Sequence, residues 1–248
     1  MVDMKGRWCL IAGAARGIGY LTAKLMAEKG ANLILHSRKL AHTEKVLAEV
    51  TAIGVEAYAV EAELSDLDSV KAMLEEIDSR GTQVDVVLNN AGMQIAYRVD
   101  YCATPVTDFT ESFKINMIAP AMICYHFLPK MVERGFGRIL NTTSGIALDP
   151  QQAGYSASKA ALDKFTIDLG SKVQGTNVMI NLPDPGWCRT DLGGPHAPNA
   201  PESAIPGIVV GAFVDDGKSG RYLNAPHFTG MTLEEAVAKA EAEFDSPY

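Results

Sequence analysis

Tyr155 and Lys159 stand four positions apart in Ala-Gly-Tyr-Ser-Ala-Ser-Lys, a stretch whose composition turns helical after Pro150. On a helix that spacing puts both side chains on one face, one turn apart. An ammonium held beside a phenol favours the phenolate, and the positive end of the helix dipole adds to the effect. Moving a tyrosine from a pKa of ~10 to ~7 takes about 4 kcal/mol of differential interaction. A tyrosine tuned in this way exchanges a proton with a substrate oxygen near neutral pH, which is general acid/base chemistry. Ser144, at the end of an apolar run, is placed to hold the same oxygen. Taken alone, Tyr and Lys at this spacing are also a common exposed helical pair, so the surroundings decide.

The surroundings alternate strand and helix. Short apolar runs at Trp8 to Ala12, Ala31 to His36, Val55 to Val60, Val84 to Leu88, Arg138 to Thr142 and Asn177 to Leu182 read as strands. Helical patterns fill the gaps: to about Lys29, over 40–53, after Ser65 and Asp66 to Ser79, over 107–134 with bends at Pro120 and Pro129, and over 153–173. Continuous apolar strands between helices are the pattern of a parallel sheet covered on both faces. A last strand at Ser219 to Asn224 and an Ala/Glu-rich helix at Met231 to Phe244 follow. The expected fold is α/β, a doubly wound parallel sheet of about seven strands in one domain, 1–248. Within it, 183–206 forms a substrate loop and 229–248 a C-terminal helical tail.

Polar or glycine-rich residues gather where these strands end. After the first strand comes Gly13-Ala-Ala-Arg-Gly17-Ile-Gly19, where small residues let backbone N–H groups and a helix N-terminus approach a pyrophosphate. Ser37-Arg38 follows the second strand, Glu63 the third, Asn90-Ala91-Gly92 the fourth, Ser144 the fifth and Pro185-Gly186 the sixth. Ligands of open α/β sheets bind at these carboxyl ends. Just past the second strand, an acidic residue accepts from the ribose of NAD, whereas an arginine accommodates the 2′-phosphate of NADP. Here Ser37-Arg38-Lys39 carries no Asp or Glu until Glu44, so NADP is the expected cofactor.

With these motifs in place the chain resembles the short-chain dehydrogenase/reductase family over residues 5–225, with a Rossmann fold. The resemblance implies that Gly13, Arg16, Gly17, Ile18 and Gly19 line the pyrophosphate. It places Glu63 and Leu64 at the adenine and Asn90, Ala91 and Gly92 beside the adenine ribose. It makes Tyr155 the catalytic acid/base, with Lys159 holding the nicotinamide ribose and lowering the pKa of that tyrosine. Ser144 then clamps the substrate oxygen, and Asn116 holds a water of the proton relay. In Pro185-Gly186-Trp-Cys-Arg-Thr190, Cys188 and Thr190 contact the carboxamide. Arg16 also stands where NADP-using relatives often carry a cation. Departures from the family pattern are Ala12 in place of threonine, Glu63 in place of aspartate, and a Ser144–Tyr155 loop about two residues short.

Bulk properties narrow the partners. At 248 residues and 47% hydrophobic, the chain can bury a full core. A net charge of −8 without a basic cluster argues against nucleic acid. No apolar stretch nears the ~20 residues of a membrane span. The four scattered cysteines read as reduced thiols of a cytoplasmic protein. The expected activity is NADP(H)-dependent interconversion of a carbonyl and an alcohol on a small-molecule substrate. An epimerase or dehydratase on the same fold, and a non-catalytic NADP(H) sensor, are the alternatives. Ile118, Met122, Phe127, Ala157, Ala161, Phe165 and Leu169 place apolar residues around more than one face of their helices. That pattern implies a homodimer or homotetramer.

Overall fold

The structure, a computed structural model, describes residues 1–248. Seven parallel strands form one sheet: β1 (Trp8–Ala12), β2 (Asn32–Ser37), β3 (Ala57–Glu61), β4 (Val84–Asn89), β5 (Gly137–Asn141), β6 (Val178–Asp184) and β7 (Tyr222–Asn224). Their spatial order is β3-β2-β1-β4-β5-β6-β7. The chain winds outward from β1 in one direction, then restarts at β4 and winds in the other. The switch between β1 and β4 opens a crevice at the strand ends, as the doubly wound topology requires.

Alternate residues of each strand feed two separate cores, because successive side chains point to opposite faces. Cys9, Ile11, Leu33, Leu35, Val86 and Leu88 pack toward α1 (Gly17–Glu28), α2 (Glu44–Ile53) and α8 (Leu233–Glu243). Leu10, Ile34, Val60, Val87, Ile139 and Ile180 pack toward α3 (Leu67–Ser79) and α5 (Ala119–Arg134). Helix α6 (Ala153–Gly170) flanks α5, and the short α7 (Val210–Phe213) lies under α8. No helix is long and apolar enough to cross a membrane.

Local chemistry sets the ends of these elements. Asp66 caps α3, its carboxylate accepting from the Asp68 and Ser69 N–H groups. Thr232 and Glu235 form a reciprocal capping box that starts α8. The helix expected over 107–134 is divided. It runs as α4 (Val106–Phe113), then a π turn over Lys114–Ile118, then α5. Pro129 sits inside α5 without ending it, whereas Pro120 follows the π turn directly. Proline has no N–H for the carbonyl four residues back and its ring crowds that carbonyl, which here belongs to Asn116. A widened turn is one way to absorb that conflict.

Other boundaries differ from the sequence expectation. Pro183 and Asp184 stay in β6, so the loop expected from 183 begins at Pro185. A 3-10 turn at Pro201–Ala204 gives that loop structure of its own. The final strand is only three residues long, and beyond α8 the chain folds back until the Tyr248 hydroxyl donates to Ile167 O. Of the apolar residues spread around the helices expected over 107–134 and 153–173, Phe127 belongs to the buried core, while Ile118, Met122, Ala157, Ala161, Phe165 and Leu169 are half-buried.

Candidate active site

The Gly-rich turn leaves β1 and enters α1 with almost no spare volume. A methyl group at Gly19 would stand 2.0 Å from Gly13 O and 2.8 Å from Asn90 Nδ2. At Gly13, with φ +80, it would stand 2.9 Å from Ala91 Cα. The ends of β1 and β4 therefore meet through glycine and alanine, leaving a cradle that a Cβ would fill. Ile18 packs toward Cys188, Ala204 and Ala225, and Gly17 faces the Thr190 methyl, so the turn also docks on the segment after β6. Arg16 is turned toward the same segment, its Nη1 2.5 Å from Asp191 Oδ2, with both side chains largely exposed.

His36, which the sequence reading passed over, performs the tie that Ala12 has no hydroxyl to make. The Gly13 N–H is shared between His36 O and His36 Nδ1 at 3.1 and 3.2 Å, and Ala14 N donates to His36 O. His36 Nε2 lies 3.1 Å from Ala62 O, which fixes the Nε2–H tautomer. Burial holds this imidazole neutral by lowering its pKa, against the opposing pull of the Ala62 carbonyl and Glu63. One side chain thereby joins the ends of β1, β2 and β3. A histidine closing an apolar strand beside a Gly-rich turn was the available signal.

Ser37, Arg38 and Glu63 stand at or just past the carboxyl ends of β2 and β3. Ser37 is buried and its Oγ donates to Lys39 O, while Arg38 is exposed. Opposite Ser37 in the sheet stands Glu61, whose Oε2 accepts from Leu40 N at 3.2 Å. Because it reaches Ser37 only across the strand pair, Glu61 is invisible along the second strand alone. Glu63 Oε1 folds back to accept from Ser65 N and Ser65 Oγ. Leu64 is buried beneath it in the core.

On the other side of the crevice the candidate site side chains hold one another. Asn116 lies on the π turn, fully buried. Its Oδ1 accepts from Met93 N and its Nδ2 donates to Met93 O, both at 2.8 Å, and to Ser158 Oγ at 3.0 Å. Both amide hydrogens are thus spent, and Asn116 clamps the loop that follows Asn90-Ala91-Gly92. Helix α6 brings Tyr155 and Lys159 onto one face, 93% and 96% buried. Lys159 Nζ donates to Thr142 O at 2.7 Å and stands 5.9 Å from the Tyr155 ring centroid. Ser144 comes off the end of β5, its Oγ accepting from Ile146 N. The shortened loop between them exposes Leu148 entirely, at φ +57, before a 3-10 turn at Pro150–Gln152.

The electrostatics differ from the expectation drawn on spacing alone. Burial raises the pKa of Tyr155, and the nearby Ser144 hydroxyl opposes this without overcoming it. Burial pulls Lys159 down to about 8, and Asp163 and Asp184 act in the other direction. The phenol is therefore not poised as a phenolate in the free protein, because removing it from water outweighs its neighbours. The two carboxylates were not foreseen. Asp163 is one further turn along α6, and Asp184 ends β6.

The Pro185-Gly186 turn is held by Asp184, whose Oδ1 accepts from Gly186 N at 2.9 Å. Cys188 is buried with its thiol on Pro185 O, and Thr190 Oγ1 accepts from Gly193 N. The side chains of Cys188 and Thr190 thus serve the turn itself. Trp187 is exposed and its indole donates to Gly193 O, and His196 is exposed as well.

A family model described as short chain dehydrogenase matches residues 7–200. The chain belongs to the short-chain dehydrogenase family. It is similar to the uncharacterised oxidoreductase YvrD of Bacillus subtilis, with 31% identity over 75% of this chain and 71% of that one. It is 30% identical to the uncharacterised oxidoreductase Rv1543 of Mycobacterium tuberculosis, over 85% of this chain but only 65% of that protein's length. Among solved structures, a 3-oxoacyl (acyl-carrier-protein) reductase from Agrobacterium tumefaciens with NADP bound is similar at a TM-score of 0.73. Identity there is 26%, over 96% of this chain and 90% of that one. A short-chain dehydrogenase of this kind is a nucleotide-dependent oxidoreductase.

Proposed function

We propose that the protein is an NADP(H)-dependent oxidoreductase that interconverts a carbonyl and an alcohol, with Tyr155 as the acid/base. The observation that carries this reading is the convergence of Ser144, Tyr155 and Lys159 at the ends of β5 and α6, across the crevice from the glycine cradle. The cradle fits a dinucleotide, because Gly13, Gly17 and Gly19 leave backbone N–H groups approachable where side chains would block them. Gly13, Arg16, Gly17, Ile18 and Gly19 would border the pyrophosphate. Glu63, Leu64, Asn90, Ala91 and Gly92 would enclose the adenosine, and Pro185, Gly186, Cys188 and Thr190 the nicotinamide end. Lys159 spends one of its three donors on Thr142 O and has two left for a ribose.

The bound dinucleotide supplies or accepts the hydride. Ser144 orients the substrate oxygen, and Tyr155 Oη delivers its proton to that oxygen during reduction. The Lys159 ammonium then stabilises the phenolate left behind. Asn116 keeps the Met93 backbone in place above the reacting centre. Arg38, exposed at the end of β2 with no acidic residue beside it on that strand, is suited to a 2′-phosphate. The half-buried outer faces of α5 and α6, with Tyr125 and Val132 exposed, suit a second copy of the chain in a two-fold contact.

Tyr155→Phe tests this reading. Turnover of NADPH with a carbonyl panel should fall at least ~10²-fold while NADPH affinity stays nearly unchanged. A variant that keeps near wild-type kcat would overturn the assignment.

A further inference from the structure

Tyr155, Lys159 and Asp163 are spaced by four and lie in one row along α6. The first two belong to the proposed proton chemistry; the third does not. Asp163 is half-buried, and its Oδ1 accepts a hydrogen bond from Thr143 Oγ1, the residue just before Ser144. Tyr222, reaching over from β7, lies near the same carboxylate. A second carboxylate, Asp184, approaches from β6. It accepts from Gly186 N and lies against Gly145, the residue just after Ser144, where a Cβ would stand 3.0 Å from Asp184 Oδ2. The two acids thus flank the Ser144 loop from both sides, with Asp163 one helical turn from the buried Lys159.

That ammonium is hard to keep. Lys159 is buried, and a lone ammonium out of water gives up its proton instead of paying the desolvation cost. Around it stand Tyr155 and Asp163 on its own helix, Asp184 at the end of β6, the Thr142 carbonyl just past β5 and Gly92 after β4. Of these, only Asp163 and Asp184 can supply negative charge while Tyr155 is a phenol.

We infer that Asp163 and Asp184 are positioning residues that keep Lys159 in its ammonium form and fix the Ser144 loop against it. The inference rests on the proposed role of Lys159, but its central claim, the charge of that lysine, can be read without turnover. Both carboxylates lean toward the protonated form themselves, through burial. Lys159 stabilises their charged state as they stabilise its own, so the three groups titrate as a set.

The experiment is a pH titration of the Lys159 side chain by carbon-13 lysine NMR on the intact protein, with the resonance assigned through Lys159→Arg. In wild type the midpoint should lie near 8. In Asp163→Asn, which keeps an acceptor for Thr143, it should move to lower pH by roughly one unit. Asp184→Asn should move it the same way, and Asp163→Glu should restore it. A midpoint that stays put in folded Asp163→Asn and in folded Asp184→Asn would overturn the inference. If one of the two variants does not fold, the other decides the matter alone. Activity separates the readings: loss of turnover in Tyr155→Phe together with an unmoved midpoint sinks only this inference. A moved midpoint with an active Tyr155→Phe sinks the catalytic reading instead.

Discussion

The wall of the crevice formed by the ends of β1, β2 and β3 presents mostly backbone, drawn tight by glycine and by His36. The opposite wall, formed by β4, β5, β6 and α6, presents side chains whose bonds are mostly to one another. The first wall suits a ligand that is always the same, since N–H groups and a helix end can cradle any pyrophosphate. The second holds charges out of water and must neutralise each internally, so one change there alters several groups at once. Tolerance to substitution should therefore differ in kind between the two walls.

The largest effect is expected at the tightest point of the first wall. Gly19→Ala puts a methyl group 2.0 Å from Gly13 O, where only backbone can yield. Urea unfolding should show a loss of about 3 kcal/mol or more, and fluorescence titration should show NADPH binding abolished. A variant that binds NADPH normally would remove the claim that the first wall is built by close packing.

The second wall should show the opposite behaviour at Lys159. Burial lowers its pKa from 10.5 to about 8, so between those values the unfolded chain binds more protons than the folded one. Wild-type stability should accordingly rise with pH across that window and be penalised in full below it. Lys159→Met should gain about 2 kcal/mol at pH 7, after allowance for the lost bond to Thr142 O. The gain should shrink as pH climbs from 8 toward 10.5, while activity is lost. Thermal melts at several pH values would show this. A destabilised Lys159→Met at neutral pH would mean the lysine is held at no cost.

Smaller effects should sort the cofactor side by charge. Arg38→Ala should raise KM for NADPH about tenfold, the worth of one charge-assisted contact, and leave NADH unaffected. Arg16→Ala should do less, because Asp191 already engages that guanidinium. Equal responses for the two cofactors would show that Arg38 does not read the 2′-phosphate. The smallest change is expected at Glu61→Gln, which removes a negative charge beside the same turn while keeping an acceptor for Leu40 N. NADPH should bind about twofold tighter, the scale of one exposed charge pair. Weaker binding would show instead that the Glu61 carboxylate is needed to shape the turn.

The contrast between the walls also explains what could be read from the sequence. Glycines at 13, 17 and 19 after an apolar run announce themselves, because backbone approach leaves a spacing pattern. Tyr155 and Lys159 were legible for the same reason, one helical turn apart. Asp163 extends that spacing by a further turn, but an acidic residue on a helix more often faces solvent, and nothing local says that β6 and β7 will cover it. Glu61 and His36 act across strand pairs, and pairing is a long-range fact that no local window contains. The raised pKa of Tyr155 is not legible in the sequence, because helix spacing reports which groups are neighbours and says nothing about how much water they keep. The division of 107–134 was half legible: Pro120 marked an irregularity whose form, a π turn carrying Asn116, depends on the packing of α4 against α6.

That π turn sets the helix's tolerance to length changes. It holds one residue more than a regular turn would, so deleting a residue within 114–118 would yield a smoother helix. The loss would fall on the site. The surplus residue is absorbed within the widened turn, so α5 would keep its register and Ile123, Phe127 and Met131 their places in the interior. Asn116 would instead lose the offset that brings its amide to Met93 and Ser158. A better helix would thus make a worse protein, and chains of this kind should accept substitutions along this segment far more readily than changes in its length.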